Sequence, residues 1–212
     1  MLLIRFISVA VLCHLAFVST RFSISLYAID KGASAFTVGV ILSLFSVIPV
    51  LISVRIGKWI DHRGPFIPTT VGISLSGVGA TLPLVFSYET ADLAPLLVSA
   101  SLVGTGFTFS ILSMQHYLGE MSAPEKRAIV FSWFAMGVSI SGFFGPVLGG
   151  VIIDNFSHRM SFVLPIVVSL GAACLLFFSR KQKKPKPSIV NASKTTNPFQ
   201  LFRYKELRDI LI

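Results

Sequence analysis

The sequence predicts an all-α membrane protein with six transmembrane helices. Three observations carry this. Apolar residues arrive in long unbroken blocks, with a mean hydropathy of +0.80, and not in the alternating or amphipathic patterns of a soluble chain. Only 13% of the 212 residues are charged, where a soluble domain carries roughly 25%. Nine of the 18 Lys and Arg residues lie after position 179 and most of the others flank apolar blocks, which is how membrane proteins place basic residues. The net charge of +9 is therefore a membrane pattern, and no nucleic-acid partner is expected.

The first span is expected at 6–28 and is interrupted by Arg21. Its n-region has one charge, Arg5, and "CHLAFVSTRF" offers no small-x-small cleavage site, so an uncleaved span is favoured over a signal peptide. Spans two to five, at 34–55, 66–88, 93–118 and 128–153, each hold more than 20 residues free of Asp, Glu, Lys and Arg, enough to cross a bilayer. The sixth is 160–179. With the N-terminus inside, the cytoplasmic side receives 15 basic residues and the outer side only Lys31 and Arg159, with Arg21 left in the membrane. Both termini are therefore expected in the cytoplasm. Cys13 and Cys174 both fall in apolar blocks, where packing is the expected role.

Beyond the sixth span, 180–200 is a basic linker that opens with five Lys or Arg in seven residues. Its expected company is solvent or anionic headgroups. Residues 201–212 turn apolar again in "ILI" and read as the lead-in to another membrane helix.

Between spans two and three, Gly57, Asp61 and Gly64 form G-x-x-x-D-x-x-G. Gly57 is expected to let a neighbouring helix approach. Asp61 can accept hydrogen bonds from a helix N-terminus or pair with a cation. Gly64 permits positive φ, and Pro65 suits the first turn of the next helix. The bland alternative is an ordinary polar turn.

Six spans, N-in topology, this motif, "GEMSAPEKRA" at 119–128 and the basic linker together resemble the N-terminal half of a major facilitator superfamily transporter. The resemblance implies that residues 1–179 form one six-helix half of a twelve-helix major facilitator fold, partnered by a C-terminal half. It also implies that Gly57, Asp61, Arg63, Gly64, Glu120 and Arg127 belong to a cytoplasmic gate that latches the halves. The chain departs from the family pattern at His62 and Pro65, where basic residues are usual, and "SASLVGTG" lacks the family's helix-four Arg. Arg63, pairing with Glu120, is expected to take over part of the latch.

In the fifth span Gly137, Ser141, Gly145 and Gly149 recur every four residues and form a small-residue stripe on one helical face. Pro146 removes the N–H that would bond the carbonyl of Gly142. Ser141, Gly145, Pro146, Gly149 and Gly150 resemble the G-x-x-x-G-P-x-x-G-G motif of the family's antiporters, which are mostly exporters. The alternative is a tight packing seam with no bearing on direction.

Arg21 is the one strong charge inside a span. Such a residue faces a cavity or a partner, or snorkels to the interface. His14, seven residues earlier, lies nearly on the same face and is either a cavity group or a satisfied core histidine. Gln115, near the inner end of span four, is a third candidate for substrate contact. No Asp or Glu lies mid-span, so a proton carrier in this half would be an end acid or His14. The four histidines are scattered, and no metal site, cofactor or enzymatic cluster is expected. The resemblance thus implies secondary active transport of a small solute by alternating access, with proton-coupled efflux as the direction and a bacterial inner membrane as the location. A truncated half that inserts without transporting is the main alternative. A membrane-embedded enzyme is disfavoured.

Overall fold

A computed structural model describes residues 2–86 and 93–179. The expected linker at 180–200 and lead-in at 201–212 lie outside the described residues. Among those described, six long α-helices carry the chain: α1 (Leu2–Asp30), α2 (Ala35–Arg63), α3 (Phe66–Val85), α4 (Ala94–Met121), α5 (Arg127–Asn155) and α6 (Val163–Ser179). Single 3-10 turns, Pro124–Lys126 and Met160–Phe162, lead into α5 and α6. Each of the six spans is long and apolar enough to cross a membrane, and helices satisfy their own backbone groups there.

The helix ends differ from the sequence expectation by a few residues, and that of α2 by the most. α1 continues to Asp30, and α2 runs eight residues past 55, to Arg63. The charges of "RIGKWIDHR" end the apolar run but not the helix. What ends α2 is Gly64, at φ 74°, whose N–H bonds the Ile60 carbonyl at 2.8 Å. Gly57 and Asp61 thus sit on the last turns of α2, not in a loop. A methyl group on Gly57 would meet nothing within 4 Å, so no helix among the described residues approaches closely there.

α1 is the hub. It packs against α4, α5 and α6, and touches α2, while α3 packs on α4 and α6. Two apolar clusters form along it. One, near the end that carries the α2–α3 and α4–α5 turns, holds Phe6, Val9, Ala10, Met114, Tyr117 and Leu118. The other, toward the opposite end, holds Ile24, Tyr27, Phe45, Leu96, Val103 and Phe162. The first end is called the basic end below and the second the distal end. Between the clusters α1 carries a polar belt of His14, Ser19, Thr20, Arg21 and Ser23. Ser19 and Thr20 donate back to the carbonyls of Leu15 and Ala16, each at 2.7 Å. Ser23 Oγ is buried with no hydrogen-bond partner among the described residues.

At the distal end the turns are tied down. Arg159 donates to the Leu84 carbonyl at the end of α3, at 3.1 Å. His158 lies 3.9 Å from Asp30. α2 and α5, by contrast, keep long rows of exposed apolar side chains, including Val47, Val50, Leu51 and Val54 on α2 and Ile140, Phe143, Val147 and Val151 on α5. Apolar exposure on this scale requires lipid or another protein surface.

Candidate functional site

Among the described residues, the polar belt of α1 is where ionisable and hydrogen-bonding groups meet at mid-depth. His14 Nδ1 and Ser141 Oγ on α5 are 2.7 Å apart. Ser141 Oγ also lies 2.8 Å from the Val138 carbonyl. A hydroxyl has one proton, which serves either that carbonyl, with His14 Nδ1 then donating to Ser141, or Nδ1 itself. Sequence reasoning pairs His14 with Arg21; the structure bonds it to the small-residue stripe of α5.

Beside His14 stands an aromatic group that the sequence reading did not single out. Phe17 stacks on Phe107 of α4, centroids 4.2 Å apart, and meets Phe45 of α2 edge-on at 5.6 Å. His14 is 5.5 Å from Phe107. Phe17 lies three residues after His14 and four before Arg21, so it shares their face of α1. That spacing was the available signal, but with 19 Phe in the chain it does not stand out.

Arg21 is exposed. Its guanidinium has no hydrogen bond or ion pair among the described residues. It lies nine residues from the end of α1, about 14 Å along the axis, which is deeper than the shorter expected span implied. Gln115 is also exposed, but it stands eight residues closer to the basic end of α4 than Phe107 does. The structure therefore brings Arg21 and His14 to one strip of α1 and leaves Gln115 about 12 Å away along α4.

The α5 stripe packs on α1. A methyl group on Gly145 would come within 3.2 Å of Val18 and 3.3 Å of Ser19, and one on Gly149 within 3.1 Å of Phe22. Gly150 sits at the margin, 3.9 Å from Phe22, and Pro146 is half-buried within a continuous α5.

At the basic end His116 links two carboxylates, with Nε2 3.4 Å from Glu120 and Nδ1 3.8 Å from Asp61 across the α2–α4 boundary. Asp61 and His116 line a cavity of about 300 Å³ together with Val54, Gly57, Ile60 and Leu112. The expected Arg63–Glu120 pair is not formed: Arg63 is exposed, and Glu120 lies one helical turn from His116, which reaches it first. Arg127 Nε donates to the Ser122 carbonyl at 3.3 Å and so closes the α4–α5 turn. Among the described residues no group of three His, Cys, Asp or Glu side chains could hold a metal ion.

The chain is similar to known proteins over most of its length. It is 29% identical over 163 residues to a protein named Efflux pump azaK from Aspergillus niger, covering 73% of this chain and 34% of that one. It is 22% identical over 161 residues to Multidrug resistance protein 1 of Bacillus subtilis, covering 73% of this chain and 38% of that one. A Putative sugar efflux transporter of Deinococcus radiodurans is 25% identical over 181 residues, covering 80% of this chain and 43% of its own length. The chain thus spans about a third to two fifths of the length of these relatives. The Major Facilitator Superfamily model matches residues 6–210, and with six apolar helices in place the chain is a multi-pass membrane protein that belongs to the major facilitator superfamily.

Proposed function

We propose that this chain is the N-terminal half of a secondary active transporter that exports a small solute by alternating access. The observation that carries the proposal is Arg21, a guanidinium deep in α1 with no partner among the described residues. A membrane charge of this kind marks a substrate or ion pathway by default. The uncovered apolar faces of α2 and α5 support the rest. A second bundle resting on those faces would enclose Arg21, His14 and Phe17 near the membrane midplane, and rocking between the halves would open that site to each side in turn. The direction, efflux, rests on the relatives' names and on the α5 motif. Proton coupling is assigned to His14, the imidazole at mid-depth. The exposed Asp61 and Glu120 and the half-buried His116 serve the gate at the basic end, which is cytoplasmic in this reading.

Everted vesicles containing the protein and energised by a proton gradient test this directly, with labelled glucose, ethidium and benzoate as probes. Gradient-driven accumulation of at least one probe, collapsed by a protonophore, is expected. Movement no faster than in empty vesicles for all three would count against the transport reading. Orientation has its own test. With Cys13 and Cys174 replaced by Ser, a membrane-impermeant maleimide should label His62→Cys only from the cytoplasmic side and Lys31→Cys only from outside.

A further inference from the structure

We infer that the strip of α1 between His14 and Arg21 is a binding site for an organic anion with an aromatic ring, whose charge sits on Arg21. The inference rests on the transport reading for its biological setting and on geometry for its chemistry.

The first step is where Arg21 points. Each helical residue turns about 100°, so the neighbours of α1 can be placed around its axis. Gly171 of α6 lies against Leu12, almost opposite Arg21. α5 lies against Val11, Val18 and Phe22, through Gly137, Gly145 and Gly149, on one flank. α2 and α4 lie against Phe17, through Phe45 and Phe107, on the other. The strip that remains uncovered is the one that bears Arg21, with His14 about 20° and Phe17 about 40° away from it. It opens between α2 and α5, both of which carry bare apolar faces.

The second step is charge. The carboxylates of the described spans lie at helix ends: Asp30, Asp61, Glu120 and Asp154. Asp30, the nearest along α1, faces His158, and Asp61 and Glu120 face His116 at the far end. No acid on the described helices is level with Arg21. A guanidinium at this depth is costly unless an anion joins it, and its planar fork takes a carboxylate in two parallel hydrogen bonds.

The third step is shape. Phe17 lies four residues from Arg21, about 6 Å along the axis, and its stack with Phe107 presents ring surface beside the cation. His14 Nε2 lies farther along the same strip. An aryl carboxylate fits this order, with the carboxylate on Arg21 and the ring against Phe17 and Phe107. A bare inorganic anion would leave the aromatic surface unused.

The test uses the purified protein in lipid nanodiscs with three probes of one carbon skeleton: benzoate, benzamide and benzylamine. Binding is read by calorimetry and flux by counterflow in proteoliposomes. Benzoate should bind at least roughly tenfold more tightly than benzamide, as expected for a desolvated charge-assisted pair, and benzylamine more weakly still. Arg21→Gln should remove that preference, and Arg21→Lys should keep part of it. Arg21→Glu should turn the preference toward benzylamine, a gain that a misfolded protein cannot give. Benzoate affinity unchanged in Arg21→Gln, equal affinity for all three probes, or no binding of benzoate would each overturn the site. Arg21-dependent benzoate binding without counterflow would leave the anion site standing and sink the transport reading. Flux of benzamide or benzylamine that ignores Arg21 would do the reverse.

Discussion

Two glycine-rich seams hold this bundle together, and they are built differently. Where α3 meets α4, backbone touches backbone. A methyl group on Gly72 would fall 2.5 Å from the Gly106 carbonyl oxygen and from Ser110 Oγ, and one on Gly106 would overlap the Gly72 carbonyl and Ser76. Ser99 adds a hydrogen bond to the Gly79 carbonyl at 2.7 Å. Where α1 meets α5, the contacts are mainly with side chains: a methyl group on Gly137 would lie 2.6 Å from Val11, and ones on Gly145 and Gly149 3.1–3.3 Å from Val18 and Phe22, with the Ser19 backbone N also 3.3 Å from the one on Gly145; a polar tie, His14 to Ser141, crosses the seam. Side chains can yield by a rotamer step; two backbones in contact cannot. The α3–α4 pair, with α2 held on α4 by the same kind of contact between Gly104 and the Phe45 backbone, is therefore the fixed part of the bundle. The α1–α5 seam has some slack, and it borders the proposed site.

The largest effect should come from filling the fixed seam. Gly106→Leu places a branched side chain into the Gly72 and Ser76 backbone and should cost more than the usual ~1–3 kcal/mol of overpacking. SDS titration in mixed micelles should find little folded protein. Folded protein of wild-type stability would erase the distinction between the seams. Gly145→Leu comes next. It must push Val18 aside, so a cost of about 1–3 kcal/mol is expected, with insertion retained and vesicle transport lost. Gly145→Ala sharpens the contrast. Val18 need yield by only a few tenths of an ångström, so the change should stay within ~1 kcal/mol. Gly106→Ala should cost more in the same titration. Ser141→Ala tests the polar tie. Hydrogen bonds between membrane helices average about 0.6 kcal/mol, so stability should fall only slightly, while any pH dependence of transport that runs through His14 should shift. An unchanged pH profile would detach His14 from coupling.

The sequence made one seam visible and hid the other for a physical reason. On α5 the spacing of four and Pro146 draw the eye to a stripe on a single helix. On α3 and α4 the close approach needs both partners: Gly72 and Gly79 are seven apart, and Gly104 and Gly106 serve different neighbours, Phe45 of α2 and Ser76 of α3. No one-helix pattern shows that. The six spans were legible because the bilayer imposes long apolar runs. The end of α2 was not, because polarity stops at the membrane surface whereas a helix stops where its backbone turns, here at Gly64. Around Arg21 the sequence showed the charge and its face-sharing His14. It did not show Phe107 or Ser141, which come from helices far along the chain. At the basic end Glu120 lies four residues from His116 on α4 and is readable as a helical pair, but Asp61 reaches the same imidazole across a helix boundary.

The smallest expected effect lies at that basic-end cluster, and it separates stability from gating. Asp61 is 68% exposed and Glu120 44%, so solvent screens both contacts to His116, and surface pairs of this kind contribute about 0–1 kcal/mol. His116→Gln keeps a polar side chain and removes the imidazole that spans the two carboxylates. Its stability by SDS titration should match wild type within ~0.5 kcal/mol, far from the collapse expected of Gly106→Leu. If the cluster serves only to hold α2 on α4, transport should then be unchanged too. If it belongs to the gate, turnover should change several-fold at constant stability, because the contacts that matter for gating differ between two states and do not register in the stability of one. A large stability loss in this variant would contradict the exposure of the cluster.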